Sequence, residues 1–209
     1  MDQKTQSLFE AWKEEFNACR DELTELDSVG GDGDLGIVMM DGFQYLHDEI
    51  TAVGESDLGK LFYTAGKLFN KAASSSMGTL LSCGFMECGK RLKGKQTLSQ
   101  PNLIILVEGM AEGVERMGKA KEGEKTFLDA IYPALRAMKE HAQSDCTVMM
   151  EAAQSAARQG VINAKEMKAV HGRLAFRGEG SIGITDPGSV AAYHFVNAIT
   201  SAVRKWDHE

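Results

Sequence analysis

Three features of the 209-residue chain predict an all-α fold. Apolar residues recur at three- and four-residue steps along most of its length, the period of a helix with one buried face. Only three prolines interrupt the pattern, so helix breaks fall to glycine-rich loops. The one strand-like stretch, Leu103–Val107, has flanks that favour helix. The chain therefore reads as about eight helices in a single domain, residues 1–209, with no linker, low-complexity segment or internal repeat.

Taken in chain order, Leu8, Phe9, Trp12, Phe16, Cys19, Leu23 and Leu26 make one stripe on a long first helix. A second run starts near Gly36 and carries Met39, Met40, Phe43, Leu46 and Ile50. Leu58, Leu61, Phe62, Leu68 and Phe69 make a third, and Leu80, Leu81, Phe85 and Met86 a fourth, from Ser76 to about Leu92. Pro101 stands where a helix can begin, ahead of Leu103 to Met117. Thr126 can cap a helix carrying Phe127, Ile131, Leu135 and Met138, with Pro133 disturbing its first turns. Asp145–Arg158 and Ala164–Val170 are helical in pattern, and Ser189–Trp206 is the last run.

Composition narrows the function classes. Apolar residues are 43% and charged residues 25%, as in ordinary globular proteins. Twenty-three basic against 30 acidic residues give a formal charge of −7. Such a chain is a poor ligand for nucleic acid or anionic lipid on its own, although a metal would let it hold phosphates. The N-terminus has no basic segment followed by an apolar core, and no apolar run reaches the roughly 20 residues of a membrane span. A soluble, cytoplasmic protein is expected. Cys19, Cys83, Cys88 and Cys146 lack zinc spacing and read as buried thiols.

Three loops depart from the helical pattern: Leu26–Gly36, Ala73–Thr79 and Gly172–Ser189. The first contains a GxGxxG at Gly31, Gly33 and Gly36, but a helix precedes it where a dinucleotide site needs a strand. Four GxxxxGK matches, beginning at Gly54, Gly84, Gly89 and Gly113, lack the following Ser or Thr and any preceding strand, so they are coincidental. Asp27, Asp32 and Asp34 crowd into one glycine-rich turn. They suit a hard divalent cation, or else a solvated acidic turn at the positive end of the next helix. Ser74–Ser76 with Gly78 can hold an anion at a helix start or simply cap that helix. Gly172–Ser189, with Arg173, Arg177 and Asp186-Pro187-Gly188, reads as a cover for a ligand or a plain surface loop. Of the histidines, His47, His141 and His194 sit in helical patterns, His208 in the tail, and His171 beside the third loop.

At these loops the chain resembles the nucleotide-binding L subunit of dihydroxyacetone kinase, the DhaL/Dak2 family. LDSVGGDGDLG is similar to the family's aspartate loop and ASSSMGTLL to its phosphate loop. GEKTFLDAIYPA is similar to its GDKTxxD helix start, and GRLAFRGEGSIGITDPGS to its C-terminal lid. The resemblance implies a closed barrel of eight antiparallel helices, with a glycine-rich lid over a nucleotide at one end. It implies that Asp27, Asp32 and Asp34 hold two Mg2+ ions bridging the phosphates of ADP or ATP. Leu35, Gly36, Ile37, Val38, Ser76 and Met77 would then meet the phosphates or ribose. Gly118, Phe127, Arg173, Asp186, Pro187 and Gly188 would line the rest of the site. No catalytic residue is assigned to this chain. The implied partner is a ketose-binding K subunit, with a phosphotransferase-system phosphocarrier M subunit or a second copy of the chain as further partners. Leu35 and Val38 stand where the family's DxDHGxNM has His and Asn. The alternatives are a non-catalytic Mg-nucleotide-binding regulator and the L subunit of a kinase for another ketose such as erythrulose.

Overall fold

The computed structural model describes residues 1–206, so His208 lies outside the described residues. It contains nine α-helices among those residues: α1 (Gln3–Ala18), α2 (Arg20–Gly30), α3 (Leu35–Ile50), α4 (Leu58–Ala72), α5 (Ser76–Arg91), α6 (Gln100–Gly118), α7 (Leu128–Glu140), α8 (Cys146–Lys165) and α9 (Pro187–Trp206). Leu103–Val107 lies inside α6, as its flanks require. Each helix from α3 to α9 packs on the next, and α9 returns to α1. The pair α1–α2 takes one place between α3 and α9, which closes an eight-position ring.

Trp12, Phe16, Phe43, Phe62, Phe69, Phe85 and Phe195 fill much of its interior. Trp12 stacks on Phe195 at 4.8 Å between centroids, and Phe16 on Phe43 at 4.3 Å, contacts that add to plain area burial. The Trp12 indole N–H donates to the Phe195 carbonyl at 3.2 Å, so the ring interior keeps no unmet donor there. Between α4, α5 and α6 the backbones meet directly. A Cβ on Gly89 would lie 2.6 Å from the Tyr63 nitrogen, and one on Gly113 2.6 Å from the Cys83 carbonyl. These are glycines of the false GxxxxGK matches, and helix packing is what they serve.

Two helices differ from the sequence reading. The first stripe is broken at Cys19, because residues beyond it turn to pack on α3 and α9. The runs Asp145–Arg158 and Ala164–Val170 resolve into one helix ending at Lys165. Its Gly160 is not a stop but a contact: a Cβ there would sit 2.2 Å from the Asp129 carbonyl of α7. That carbonyl is the one left without its helical donor by Pro133, four residues on. Cys19 and Cys88 are buried, whereas Cys83 and Cys146 are only half-buried.

Up-and-down connection gives the ring two unlike ends. The starts of α3, α5, α7 and α9 gather at one end, together with the last turns of α2, α6 and α8. That end holds the three loops singled out from the sequence.

Candidate functional site

A cavity of about 800 Å³ opens there, walled by the aspartate loop, the start of α5, residues 118–128 and the third loop. Leu35, Ser76, Met77, Phe127, Leu128, Pro187 and Gly188 line it, so the first turns of four helices face one space. The opening N–H groups of a helix have no intrahelical acceptor, and its dipole is positive at that end. Four such ends converging make the cavity suited to an anion, although the chain is acidic overall. Gly118, Arg173 and Asp186 also line it. Gly36, Ile37 and Val38 do not. Gly36 is buried against the Arg20 carbonyl, Ile37 faces out, and Val38 packs on the core.

The aspartate loop is shaped by its glycines. A Cβ on Gly31 would fall 2.1 Å from Asp27 Oδ1, and Gly33 takes a left-handed φ of +74°. Asp27 turns back to accept from the N–H of Asp34 at 3.1 Å and of Leu35 at 3.3 Å. One oxygen from each of Asp27, Asp32 and Asp34 lies within 4.8 Å of the others. Asp34 occupies the N-cap position of α3 yet makes no side-chain cap bond. Burial raises its pKa first, and the charges of Asp32 and Asp27 add to this, while Arg173 opposes it. Three hard oxygen donors repelling one another at a cavity wall fit a divalent cation. Asp27, Asp32 and Asp34 could together hold a divalent cation.

Across the cavity, Ser75 caps α5, its Oγ accepting from Gly78 N–H at 3.0 Å. Capping thus falls to Ser75, while Ser76 and Met77 line the cavity. Asp186 caps α9, accepting from Ser189 N–H at 2.6 Å. Burial pushes its carboxyl up to about 7; the Ser189 N–H pulls against this and the Asp129 charge adds to it. Thr126 and Asp129 close the start of α7 on each other: the Thr126 N–H donates to Asp129 Oδ2 at 2.6 Å and the Leu128 N–H to Thr126 Oγ1 at 3.2 Å. His171 borders the cavity and is held by Glu124 at 2.6 Å.

The third loop is laid over the aspartate loop. Residues Arg173–Ser181 form a tight 3-10 turn kinked at Gly178. Arg173 pairs with Asp32, Arg177 donates to the Val29 carbonyl, and Leu174 packs on Gly30. Sequence reasoning gave no role to Lys125, which also lines the cavity and is 2% exposed. Its acceptors lie 40 to 56 residues away, and no local signal marks them.

Comparison with known proteins agrees with this geometry. The DAK2 domain family matches residues 29–201. The chain is 27% identical over 192 residues to the Escherichia coli (strain K12) protein named PEP-dependent dihydroxyacetone kinase, ADP-binding subunit DhaL, covering 91% of each chain. It is 33% identical over 170 residues to the ADP-binding subunit DhaL of PEP-dependent dihydroxyacetone kinase 1 from Listeria innocua, covering 81% of each. The same fold occurs in the crystal structure of the dihydroxyacetone kinase from C. freundii in complex with AMP-PNP and Mg2+, with a TM-score of 0.74 at 22% identity. That match covers 96% of this chain and 34% of the longer one. Among the described residues no helix is long and apolar enough to cross a membrane. By sequence and by fold, this chain belongs to the Dak2 domain family.

Proposed function

We propose that the chain is the nucleotide-binding L subunit of a ketose kinase, of the dihydroxyacetone kinase type. The observation that carries this reading is the single cavity in which three carboxylates face the first turns of α3, α5, α7 and α9. Asp27, Asp32 and Asp34 would hold two Mg2+ ions, which when bound neutralise charge on the phosphates of ADP or ATP. Leu35, Gly36, Ile37 and Val38, with Ser76 and Met77, would meet phosphate or ribose oxygens. For Gly36 and Ile37 the main-chain N–H is the route left, while the Val38 N–H already donates to the Asp34 carbonyl at 2.9 Å. Gly118, Phe127, Asp186, Pro187 and Gly188 would enclose the remainder, and Arg173 would turn from Asp32 to a phosphate.

Phosphoryl transfer rests mainly on positioning and charge neutralisation, and this chain supplies both for the nucleotide. The ketose would come from a separate K subunit docked on the open end, which shields the transfer from water. Whether the donor is ATP or a phosphocarrier M subunit is then a property of the assembly. The related DhaL proteins carry names that place them in such kinases. One observation favours a second reading, a regulator that binds Mg-nucleotide without catalysis: Leu35 and Val38 present no polar side chain to the phosphates.

The test is phosphorylation of dihydroxyacetone or erythrulose by purified chain with Mg-ATP or a phosphocarrier, with and without K subunits. Turnover only when a K subunit is present is expected. Turnover by the chain alone contradicts the two-component reading, and Mg-ADP binding with no turnover under any pairing supports the regulator.

A further inference from the structure

The third loop is two pieces, not one. Residues 173–177 lie between Gly172 and Gly178, both at positive φ (+68° and +55°), and rest on the cavity rim. They rest there through the Arg173–Asp32 pair, the Arg177 bond to Val29 and Leu174 on Gly30, with Phe176 93% exposed. Residues 178–183 are bound into the barrel. Ser181 Oγ donates to the Gly178 carbonyl at 2.6 Å and accepts from Ala169 N–H at 2.9 Å. Gly183 N–H donates to the Lys165 carbonyl at 2.8 Å.

Lys125 stands at the centre of this second piece. All three ammonium donors are used: on the carbonyls of Lys165 at 2.9 Å, Met167 at 3.1 Å and Ser181 at 2.9 Å. Two of these acceptors are at the end of α8, where a helix dipole favours a cation, and the third ends the loop's 3-10 turn. The residue adopts φ +62°, uncommon for a side chain of this size, so the geometry is maintained against a backbone cost. Burial holds the ammonium below its ordinary pKa, opposed by Asp186 and Glu166. Such a charge is costly to bury for core packing alone.

We infer that Lys125 is a positioning residue for the nucleotide cover: it fixes residues 178–183 to the barrel, so that residues 173–177 swing about Gly172 and Gly178 and bring Arg173 into register with the phosphates. The inference rests on the nucleotide reading above and adds a residue and a hinge to it. Lys125 acts through Arg173 and touches no reacting atom.

Two readouts test it. The first is backbone hydrogen exchange in nucleotide-free protein. Lys125→Met is expected to raise exchange in residues 165–183 by about tenfold or more while leaving α3, α5 and α6 unchanged. The second is a calorimetric Mg-ADP cycle combining Lys125→Met with Arg173→Ala. Lys125→Met should weaken binding about tenfold in the wild-type background and less than about twofold when Arg173 is already gone. Ser181→Ala, which loosens the same anchor from the loop side, should follow the same pattern at about threefold and decides the matter if Lys125→Met does not fold. Unchanged exchange in residues 165–183, or equal loss in both backgrounds, overturns the inference. If wild-type protein binds no Mg-ADP, the proposed function fails, while the exchange experiment still judges the anchor.

Discussion

Two aspartates that precede helices at opposite ends of the ring are treated in opposite ways. At the closed end Asp57 caps α4, one oxygen accepting from Lys60 N–H at 3.0 Å and the other from Gly94 N–H at 2.8 Å. Those main-chain bonds hold its pKa below the usual carboxylate range, led by the one to Lys60. At the open end Asp34 sits at the same position on α3, makes no cap bond, and is pushed up by burial, Asp32 and Asp27. Gln100 continues the pattern at the closed end, where its amide ties down the carbonyls of Ala142 and Ser144. Asp57 is answered by two main-chain N–H groups, whereas Asp34 stands beside two other carboxylates at a cavity wall.

The largest expected effect comes from the body between the ends, where a charge is fully answered. His194 bonds Glu15 at 2.6 Å on α1 and Glu22 at 3.0 Å on α2, bracing the break at Cys19. Burial would lower its pKa, but the bonds to Cys19 and Glu15 outweigh that and raise it to about 10. His194→Gln should cost about 3 kcal/mol near neutral pH, since it takes a buried cation away from the half-buried Glu15 carboxylate. The folded pKa is above the unfolded value of about 6.5, so the ionic contribution is complete below that pH and disappears as pH rises to about 10. Urea midpoints of wild type and variant from pH 6 to 10 should therefore converge at the alkaline side, and parallel curves would refute the assignment.

Next comes the open end itself. Asp32→Asn should weaken Mg-ADP binding about a hundredfold while circular dichroism stays unchanged, because two cations would share the lost charge. Unaltered calorimetric affinity would remove the aspartate loop from the site. Smaller still is the closed-end control. Asp57→Ala should lower the melting temperature by about 2–4 °C through loss of a cap and leave Mg-ADP affinity alone. An affinity change there would mean that the two ends are not independent.

Much of this contrast was legible in the sequence. The helical stripes gave the all-α class and the helices, and the three loops rich in glycine and charge stood out, because both are local patterns; the barrel and its open end came from the family resemblance. Three things were not. The break at Cys19 is invisible since Leu23 continues the stripe, and only packing on α3 and α9 turns the chain. Gly160 falls in the gap between the runs Asp145–Arg158 and Ala164–Val170, yet Pro133 bares the Asp129 carbonyl on which it rests, a relation between residues on two different helices. Lys125 stands beside the legible Thr126, but its meaning lies in carbonyls of α8 and the third loop. The anion-ready cavity belongs to this class as well: each helix start is readable, and their convergence is a property of the up-and-down closure.

The central claim is that Asp34 is placed for a metal-bound nucleotide and against the stability of the empty protein. Thermal unfolding of wild type and Asp34→Asn, each with and without Mg-ADP, addresses it in one measurement. Without ligand the variant should melt at or above the wild-type temperature, because removing one of three crowded charges relieves repulsion. With Mg-ADP the order should reverse, since only the wild type gains binding free energy that scales with ligand concentration over its dissociation constant. A variant less stable than wild type without ligand, or stabilised by Mg-ADP as much as wild type, would contradict the account.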